Sequence, residues 1–543
     1  ANAQDAPKLI LQITVDQLRG DLPTRYYDRL GDGGFRYLWE NGVVFSNAHH
    51  AHANTETIVG HATLATGAHP SGHGMVGNLW FDRETGFTTY NIEDSRYRLL
   101  TAGADVDEDA EIDPTQRAAR SEGRSPAAIL VTTFADELRS SNDGRSKVVG
   151  VSVKDRGAVS MAGHSGTAYW FSKASGEFVT STYYLDEYPA WVAAFNATAP
   201  ALQFANTSWD LMQDKATYLF GGSDDREWET DVAGFGRTFP HAFGDGSSPY
   251  FTTWLTLSPA GDRMVLDFAK QALAGEQLGK DDVTDYLSVS FSSTDYVGHV
   301  FGPSSLEAED NILRLDATLA ELLAFIDDEV GLENTLVVLS ADHGGPDTPG
   351  YLNSLGIPAG YVDPETWDRE AAIERIKSRF RIKGDLIETY DHPYLYFSQE
   401  IIGNAKIDQR DLESAVVAEL MKFPGVALAV SSSALRKGGL PDNALHRAVV
   451  RNFHPKRSGD IFLVFEPNWF INDFDGLVVA STHGSPWNYD THVPIVFAGA
   501  GLQPAVIHRP VRTVDVAVTL AAFLGIRMPS GAVGEPLVEV LAE

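Results

Sequence analysis

The fold is decided by residues 9–16, LILQITVD, a short apolar and β-branched run that ends in an aspartate. Such a run predicts a buried strand. Residues 286–291 and 335–339 repeat the pattern, and they are followed by Asp295 and Asp342. One aspartate after a strand carries little weight, because Asp often ends strands. Three such cases predict a ligand site, because ligands in open α/β sheets bind beyond the carboxyl ends of the strands.

Strands and helices alternate along the chain. Further strands are predicted at 42–45, 147–153 and 493–497. An amphipathic helix is predicted where apolar residues recur at helical spacing, at Ile312, Leu315, Leu319, Leu322, Leu323 and Ile326. Strands that are apolar along their whole length and alternate with helices predict an α/β fold, in which helices cover both faces of a mostly parallel sheet.

The core is predicted in three parts. They are separated by two segments in which strands and helices alternate less regularly. The parts of the core are residues 8–164, 265–349 and 476–543. Residues 165–264 are rich in Trp, Tyr, Gly and Thr, and residues 350–475 mix helical pieces with short strands. We expect the first segment to be an insertion and the second to be a cap, and both to wall the site.

Composition excludes several classes of function. The chain has 543 residues, with 74 acidic against 42 basic side chains and a net charge of −32. This charge argues against nucleic acid and anionic lipid as partners. The absence of cysteine excludes disulfides, thiolate zinc sites and a Cys nucleophile. No apolar run is long enough to span a membrane. The start at Ala1 resembles a mature end after signal cleavage, so we expect a periplasmic or secreted protein, compatible with a monomer.

Six side chains are candidate metal ligands: Asp16, Asp295, His299, Asp342, His343 and His483. The D-x-x-x-H spacing of Asp295 and His299 places both on one helix face. Mixed imidazole and carboxylate ligands suit zinc, with manganese or iron as alternatives. Six ligands are enough for two ions with positions open for substrate. His492, near His483 in sequence, is the rival ligand.

A nucleophile is predicted in residues 54–67, which read as a loop entering a helix. Thr57 falls at the helix start, where free N–H groups favour an anion. A metal ion would lower the pKa of its hydroxyl, and Thr55 is the rival in the same loop. The nearby histidines are expected to have structural roles: His49, His50, His52, His61, His69 and His73.

Two cations follow the strand at 147–153. Lys154 and Arg156 are two residues apart, which in an extended segment places them on one face. Both could therefore reach one phosphoryl group, with Arg156 as a bidentate fork. Asn78 could donate an amide hydrogen bond to a third oxygen.

Taken together and in this order, the motifs resemble the alkaline phosphatase superfamily, and more closely the bacterial secreted alkaline phosphatases of the phosphate-irrepressible type. The resemblance extends from Asp16 to His483. It implies an alkaline-phosphatase-like sheet with inserted cap segments. It also implies hydrolysis of small phosphate monoesters through a phospho-threonine. An acidic segment, residues 104–112, cannot be placed against this family.

The resemblance also implies roles for the site residues. Two zinc ions are expected, one held by Asp295, His299 and His483, the other by Asp16, Asp342 and His343 with the Thr57 oxygen. Asn78, Lys154 and Arg156 are expected to bind the transferred phosphoryl group.

Two other functions remain open. A nucleotide pyrophosphatase or phosphodiesterase of the same superfamily would share the metals and Thr57, although Lys154 and Arg156 match the extra charge of a monoester. A non-catalytic exported protein that binds metal or phosphate would need no hydroxyl beside its metals.

Overall fold

Residues 6–404, 406–474 and 476–541 are described here from a computed structural model. The strands are β1 Leu9–Val15, β2 Val43–His49, β3 Leu79–Asp82, β4 Phe87–Tyr90, β5 Val148–Ser152, β6 Thr167–Ser172, β7 Glu177–Val179, β8 Ser208–Trp209, β9 His241–Ala242, β10 Asp285–Phe291, β11 Thr335–Ser340, β12 Gly360–Tyr361, β13 Ile387–Asp391, β14 Tyr394–Phe397, β15 Val426–Ser431, β16 Ile461–Phe465, β17 Trp469–Phe470, β18 Asp473–Phe474, β19 Leu477–Val478, β20 His492–Gly499, β21 Ala505–Ile507 and β22 Val511–Arg512.

The α-helices are α1 Leu22–Arg25, α2 Phe35–Asn41, α3 Thr57–Thr66, α4 Pro70–His73, α5 Pro114–Arg117, α6 Phe134–Ser140, α7 Asp155–Ala162, α8 Ala190–Asn196, α9 Phe251–Thr256, α10 Pro259–Gly275, α11 Ser293–Phe301, α12 Leu306–Glu329, α13 Pro349–Ser354, α14 Ala371–Phe380, α15 Gln399–Ile402, α16 Gln409–Leu420, α17 Ser432–Lys437, α18 Ala444–Asn452, α19 Asn488–Thr491, α20 Asp515–Leu524 and α21 Val538–Leu541. No helix in the described ranges is long and apolar enough to cross a membrane.

The central sheet has ten strands in the order β21-β2-β20-β11-β1-β10-β5-β6-β7, with β22 paired to β2. Its middle is parallel, since β1 pairs in parallel with both β10 and β11, and β5 with both β10 and β6. The antiparallel neighbours are β20, which lies between β11 and β2, and the edge strand β7. The mostly parallel sheet predicted from the sequence is therefore confirmed.

Helices cover both faces of this sheet, as predicted. On β1, Leu11 and Ile13 pack into a cluster with α10 and α12, whereas Ile10 packs into another with α6 and α20. The apolar positions of α12 that the sequence analysis singled out are all buried. Because neither face of β1 meets water, its apolar residues need not alternate with polar ones.

The two segments expected to be insertions differ in structure. Residues 350–475 hold a separate four-stranded antiparallel sheet, β13-β14-β16-β15, with its own apolar cluster against α14 and α16. Residues 165–264 begin with β6 and β7, which extend the central sheet. The early part of that range therefore belongs to the sheet, and the irregular chain follows it.

Candidate metal centre and phosphoryl site

Three carboxylates meet at one edge of the central sheet because their strands are parallel and in register. Thr14 pairs with Ser340, so Asp16 and Asp342 each lie two residues beyond the same rung of the ladder. The amide of Asp16 donates to the carbonyl of Phe291 at 2.9 Å, which ties it to the end of β10. Asp295 follows in the first turn of α11. All three aspartates are buried.

Three imidazoles join these carboxylates, each with Nδ1 close to a backbone carbonyl. The Nδ1–O distances are 2.7 Å for His299 to Ser481, 2.8 Å for His343 to Gly344 and 2.8 Å for His483 to Thr55. A carbonyl only accepts, so each Nδ1 carries the proton and each Nε2 is left as a lone-pair donor. This is the tautomer that a metal ligand needs.

The six ligand atoms form two overlapping groups. The Nε2 atoms of His299 and His483 each lie 3.3 Å from Oδ1 of Asp295. The Nε2 atom of His343 lies 3.2 Å from Oδ1 of Asp16 and 3.4 Å from Oδ2 of Asp342. His343 is also 4.0 Å from Oδ1 of Asp295, and with Asp295 and His483 it forms a further compact set. His343 therefore stands between the two groups that the sequence analysis expected.

The chemistry of this donor set fits bound cations. Nε2 of His343 and Oδ2 of Asp342 are buried without a hydrogen bond. Burial, together with the charge of Asp16, raises the pKa of Asp342. Burial opposes protonation of His343, yet Asp342 and Asp16 outweigh it and raise its pKa to about 9. Three buried carboxylates crowded together are a costly arrangement unless positive charge, on His343 or on a bound cation, balances them.

The nucleophile candidate lies at a helix start beside this cluster. Thr57 is the first residue of α3, preceded by Glu56 in extended conformation at the N-cap position. Thr57 is buried. A Cβ on Gly60 would lie 1.8 Å from the backbone oxygen of Asp342. Only a glycine here lets α3 approach the end of β11 closely enough to bring Thr57 to the cluster.

Two neighbouring side chains support this loop. The hydroxyl of Thr55, the rival nucleophile, donates to the carbonyl of Ser485 at 2.8 Å. Oδ1 of Asn78 accepts from the amide of Ile58 at 3.1 Å. Asn78 is therefore fixed beside the first turn of α3.

Both predicted cations are buried here and paired with carboxylates. The Nζ atom of Lys154 lies 2.7 Å from Oδ2 of Asp16 and also contacts Asp295. Burial would lower the pKa of Lys154, but these two carboxylates raise it. Arg156 donates through Nη1 to Oδ2 of Asp113 at 2.9 Å, and its Nε has no partner. Lys154 thus bridges the two ligand groups, while Arg156 keeps donor capacity free.

A cavity of about 420 Å³ opens from these residues. Its lining includes Thr57, Asn78, Arg156 and one group of candidate ligands, which we call the outer ligand group: Asp295, His299 and His483. Lys154 and the deeper ligands Asp16, Asp342 and His343 lie behind this surface. A small ester could enter here and meet the hydroxyl, the guanidinium and the outer ligand group together.

Sequence reasoning missed two polar residues that organise the cluster. Gln17 donates from its amide nitrogen to Asp295 at 2.9 Å and from its backbone to Asp342 at 3.1 Å. Oδ2 of Asp490 accepts from both the backbone and the hydroxyl of Ser485, which shapes the loop carrying His483. Gln17 adjoins Asp16 in sequence, a signal that could have been used, whereas Asp490 had none.

Among the other histidines, His61 is engaged with the site. Its Nδ1 lies 3.1 Å from Oδ2 of Asp342 and 3.0 Å from the Thr57 carbonyl. The rival ligand His492 lies elsewhere, stacked on His49 with ring centroids 5.1 Å apart.

A buried set of carboxylates and imidazoles at strand ends, beside a helix-start hydroxyl and two cations, is typical of a metal-dependent phosphoryl-transfer enzyme. Residues 10–486 match the family described as Type I phosphodiesterase / nucleotide pyrophosphatase. The chain therefore belongs to this family, within the alkaline phosphatase superfamily.

Named relatives cover almost the whole chain. Alkaline phosphatase PafA of Elizabethkingia meningoseptica is 34% identical over 99% of this chain and 95% of its own. The crystal structure of PafA superimposes with a TM-score of 0.88, 33% identity and full coverage of both chains. A protein named calcium-transporting ATPase from Myroides odoratus is 34% identical over 99% and 95% of the two chains. Alkaline phosphatase PhoV of Synechococcus elongatus is 32% identical over 98% and 93%.

Proposed function

We propose that this enzyme, a phosphoric monoester hydrolase of the alkaline phosphatase type, releases inorganic phosphate from small monoesters through a phospho-threonine at Thr57. The names of PafA and PhoV support the reaction class. The observation that carries the proposal is the position of Thr57, at a helix start lining the same cavity as Arg156 and the outer ligand group. We further propose that the enzyme is exported, to the periplasm or the medium.

Two zinc ions fit the donor set. One would be held by Asp295, His299 and His483, and the other by Asp16, Asp342 and His343 with the Thr57 oxygen. Bound zinc supplies Lewis acidity, which lowers the pKa of a coordinated hydroxyl and offsets charge on phosphate oxygens. If Asp16 and Asp295 served as ligands, Lys154 would be released from its ion pairs with them, and its ammonium would be available to a phosphoryl oxygen.

Each of the site residues has its own role in the reaction. Thr57 gives up its hydroxyl proton to solvent and forms an Oγ–P bond while the bond from phosphorus to the leaving oxygen breaks, and that oxygen takes a proton from water. A water oxygen then bonds to phosphorus as the Oγ–P bond breaks, and a proton of that water restores the Thr57 hydroxyl as phosphate is released. Asn78, Lys154 and Arg156 hold the other phosphoryl oxygens, and the free N–H groups of α3 favour the anion. Positioning and charge compensation therefore provide most of the rate.

Replacing the hydroxyl tests the nucleophile directly. Thr57→Ala should lower monoester turnover by at least about 10³-fold, because both half-reactions need the oxygen. Thr57→Ser keeps the hydroxyl and should retain measurable activity. Zinc content should stay near two per chain in both variants, measured by elemental analysis. Full activity in Thr57→Ala, with zinc bound, would reject the assignment.

Removing the metal tests the centre. Exhaustive dialysis against a chelator should abolish phosphate release, and added zinc should restore it. A non-catalytic binding protein would instead bind phosphate and would hydrolyse no ester, with or without added zinc. Activity that survives complete metal removal would contradict the proposed centre.

The alternative within the family is a nucleotide pyrophosphatase or phosphodiesterase, which the family description includes. The buried cations Lys154 and Arg156 favour a monoester, because its phosphoryl group carries one more negative charge than a diester. Arg156→Ala should therefore reduce kcat/KM for phenyl phosphate more than for methyl phenyl phosphate. Equal losses on the two substrates would favour the diesterase reading.

A further inference from the structure

The 420 Å³ cavity has an apolar wall made from separate parts of the chain. The apolar side chains of this wall include Ile112, Val232, Val300, Phe474, Leu477 and Val478. They face the space that the leaving alcohol of a monoester would occupy once its phosphoryl group lies among Thr57, Asn78 and Arg156. The leaving group therefore meets mostly hydrocarbon, although Thr115, Thr230 and Thr482 also line the cavity.

The wall is held in place by α11, the helix that carries two of the candidate ligands. The amide of Thr230 donates to the carbonyl of Val300 at 2.9 Å, which fixes the segment of Val232. The amide of Ala480 donates to the carbonyl of His299 at 2.8 Å, which fixes the chain just after the β18–β19 hairpin. Two adjacent residues of α11 thus position two sides of the wall relative to the site.

The charged side chains that line the cavity are mostly acidic. Among the described lining residues, Arg156 is the one lysine or arginine, and it is already paired with Asp113. The acidic lining residues are Glu56, Asp113, Asp231 and Asp295. A leaving group with its own carboxylate or phosphate would meet this acidic lining, where the described residues offer no lysine or arginine besides Arg156 to offset the repulsion.

We infer that the enzyme selects phosphate monoesters of uncharged, apolar alcohols, alkyl or aryl, over monoesters whose leaving group is an anion. This inference rests on the proposed function and specifies its substrate class. The wall of Phe474, Leu477 and Val478 is its specificity-determining element. Val478 is 50% exposed, so a bound chain would cover a side chain that is otherwise in water.

The test is a series of n-alkyl phosphates from ethyl to hexyl, whose leaving alkoxides have nearly equal basicity. Any rise in kcat/KM along the series then reports burial of methylene groups. Full burial would give about fourfold per CH₂. A partly open wall should give about twofold, or roughly 10- to 20-fold from ethyl to hexyl. The matched anion is hexyl phosphate with a terminal carboxylate, expected at least about tenfold below hexyl phosphate.

Variants locate the effect. Val478→Ser should lower the hexyl-to-ethyl ratio about threefold, and Phe474→Ser should lower it further. The matched control is Val506→Ser, another exposed valine in a short strand, which lies outside the cavity and should leave the ratio unchanged. Val478 and Val506 are both exposed, so neither of these two changes should prevent folding.

The outcomes separate the two proposals. Thr57-dependent phosphate release with equal kcat/KM along the alkyl series would overturn the inference alone. An unchanged ratio in Val478→Ser, or a carboxylate analogue as good as hexyl phosphate, would do the same. Phosphate release that persists in Thr57→Ala would overturn the proposed function and, with it, this inference.

Discussion

Asp113 directly follows residues 104–112, the acidic segment that could not be placed against the family, and Asp113→Asn tests whether this part of the chain positions Arg156. Its Oδ2 accepts from Arg156, while Oδ1 accepts from the amide of Thr115 at the start of α5. Burial opposes ionisation of this carboxyl, but Arg156 and Lys154 lower its pKa, so it is an anion. Asparagine keeps the shape and removes the charge that holds Arg156.

The magnitude follows from the geometry of this pair. The nitrogen–oxygen distance is 2.9 Å, and the side chains are 3% and 5% exposed. At an effective dielectric constant of about 20, the attraction at that distance is roughly 6 kcal/mol. Breaking a buried pair by changing one partner typically costs about 3–5 kcal/mol of stability. Without Asp113 to hold it, the Arg156 guanidinium is no longer fixed toward the phosphoryl group. We therefore expect kcat/KM for monoesters to fall by about 10- to 100-fold, with a smaller loss on diesters.

The assay is the ratio of kcat/KM for phenyl phosphate to that for methyl phenyl phosphate, together with the midpoint of urea unfolding. The control is Asp310→Asn, which breaks the pair with Arg314 (2.8 Å) on α12. The control should lose stability and keep the substrate ratio. If Asp113→Asn loses stability but keeps the ratio too, Asp113 does not position Arg156 for the phosphoryl group.

Two further predictions concern packing and pH. Gly60→Ala would place a Cβ 1.8 Å from the backbone oxygen of Asp342. We therefore expect it to lose about 1–3 kcal/mol of stability and part of its bound metal. Gly72→Ala, whose Cβ would lie 3.7 Å from its neighbour, should keep both. Normal metal content in Gly60→Ala, measured by elemental analysis, would contradict the close approach of α3. The ring nitrogens of His164 lie 2.7 Å and 3.0 Å from acceptor oxygens, and its hydrogen bond to Asp136 raises its pKa. Its stabilisation, about 0.5–1 kcal/mol for so exposed a pair, is therefore complete below the unfolded pKa of about 6.5 and fades as pH rises through the folded value. His164→Gln should lower the urea midpoint at pH 5.5 more than at pH 9, and equal shifts would refute a charged imidazole.

Local patterns in the sequence were enough for the sheet and for the identity of the candidate ligands. The strands β1, β10 and β11, which precede Asp16, Asp295 and Asp342, could be predicted from apolar runs, because a strand that is buried on both faces is apolar along its whole length. Parallel pairing then brings their ends together whatever lies between them. Thr57 at a helix start and the D-x-x-x-H spacing were similarly local.

Only the tertiary structure decided how these residues are connected. It placed Lys154 between Asp16 and Asp295, gave Arg156 its partner in Asp113 and set His343 between the two ligand groups. It also made β6 and β7 part of the central sheet and lined the cavity with side chains from distant segments. Such contacts join residues tens to hundreds of positions apart through irregular loops, whose course is set by packing rather than by periodicity. The sequence by itself therefore determined which groups could do the chemistry, and the fold determined what each of them touches.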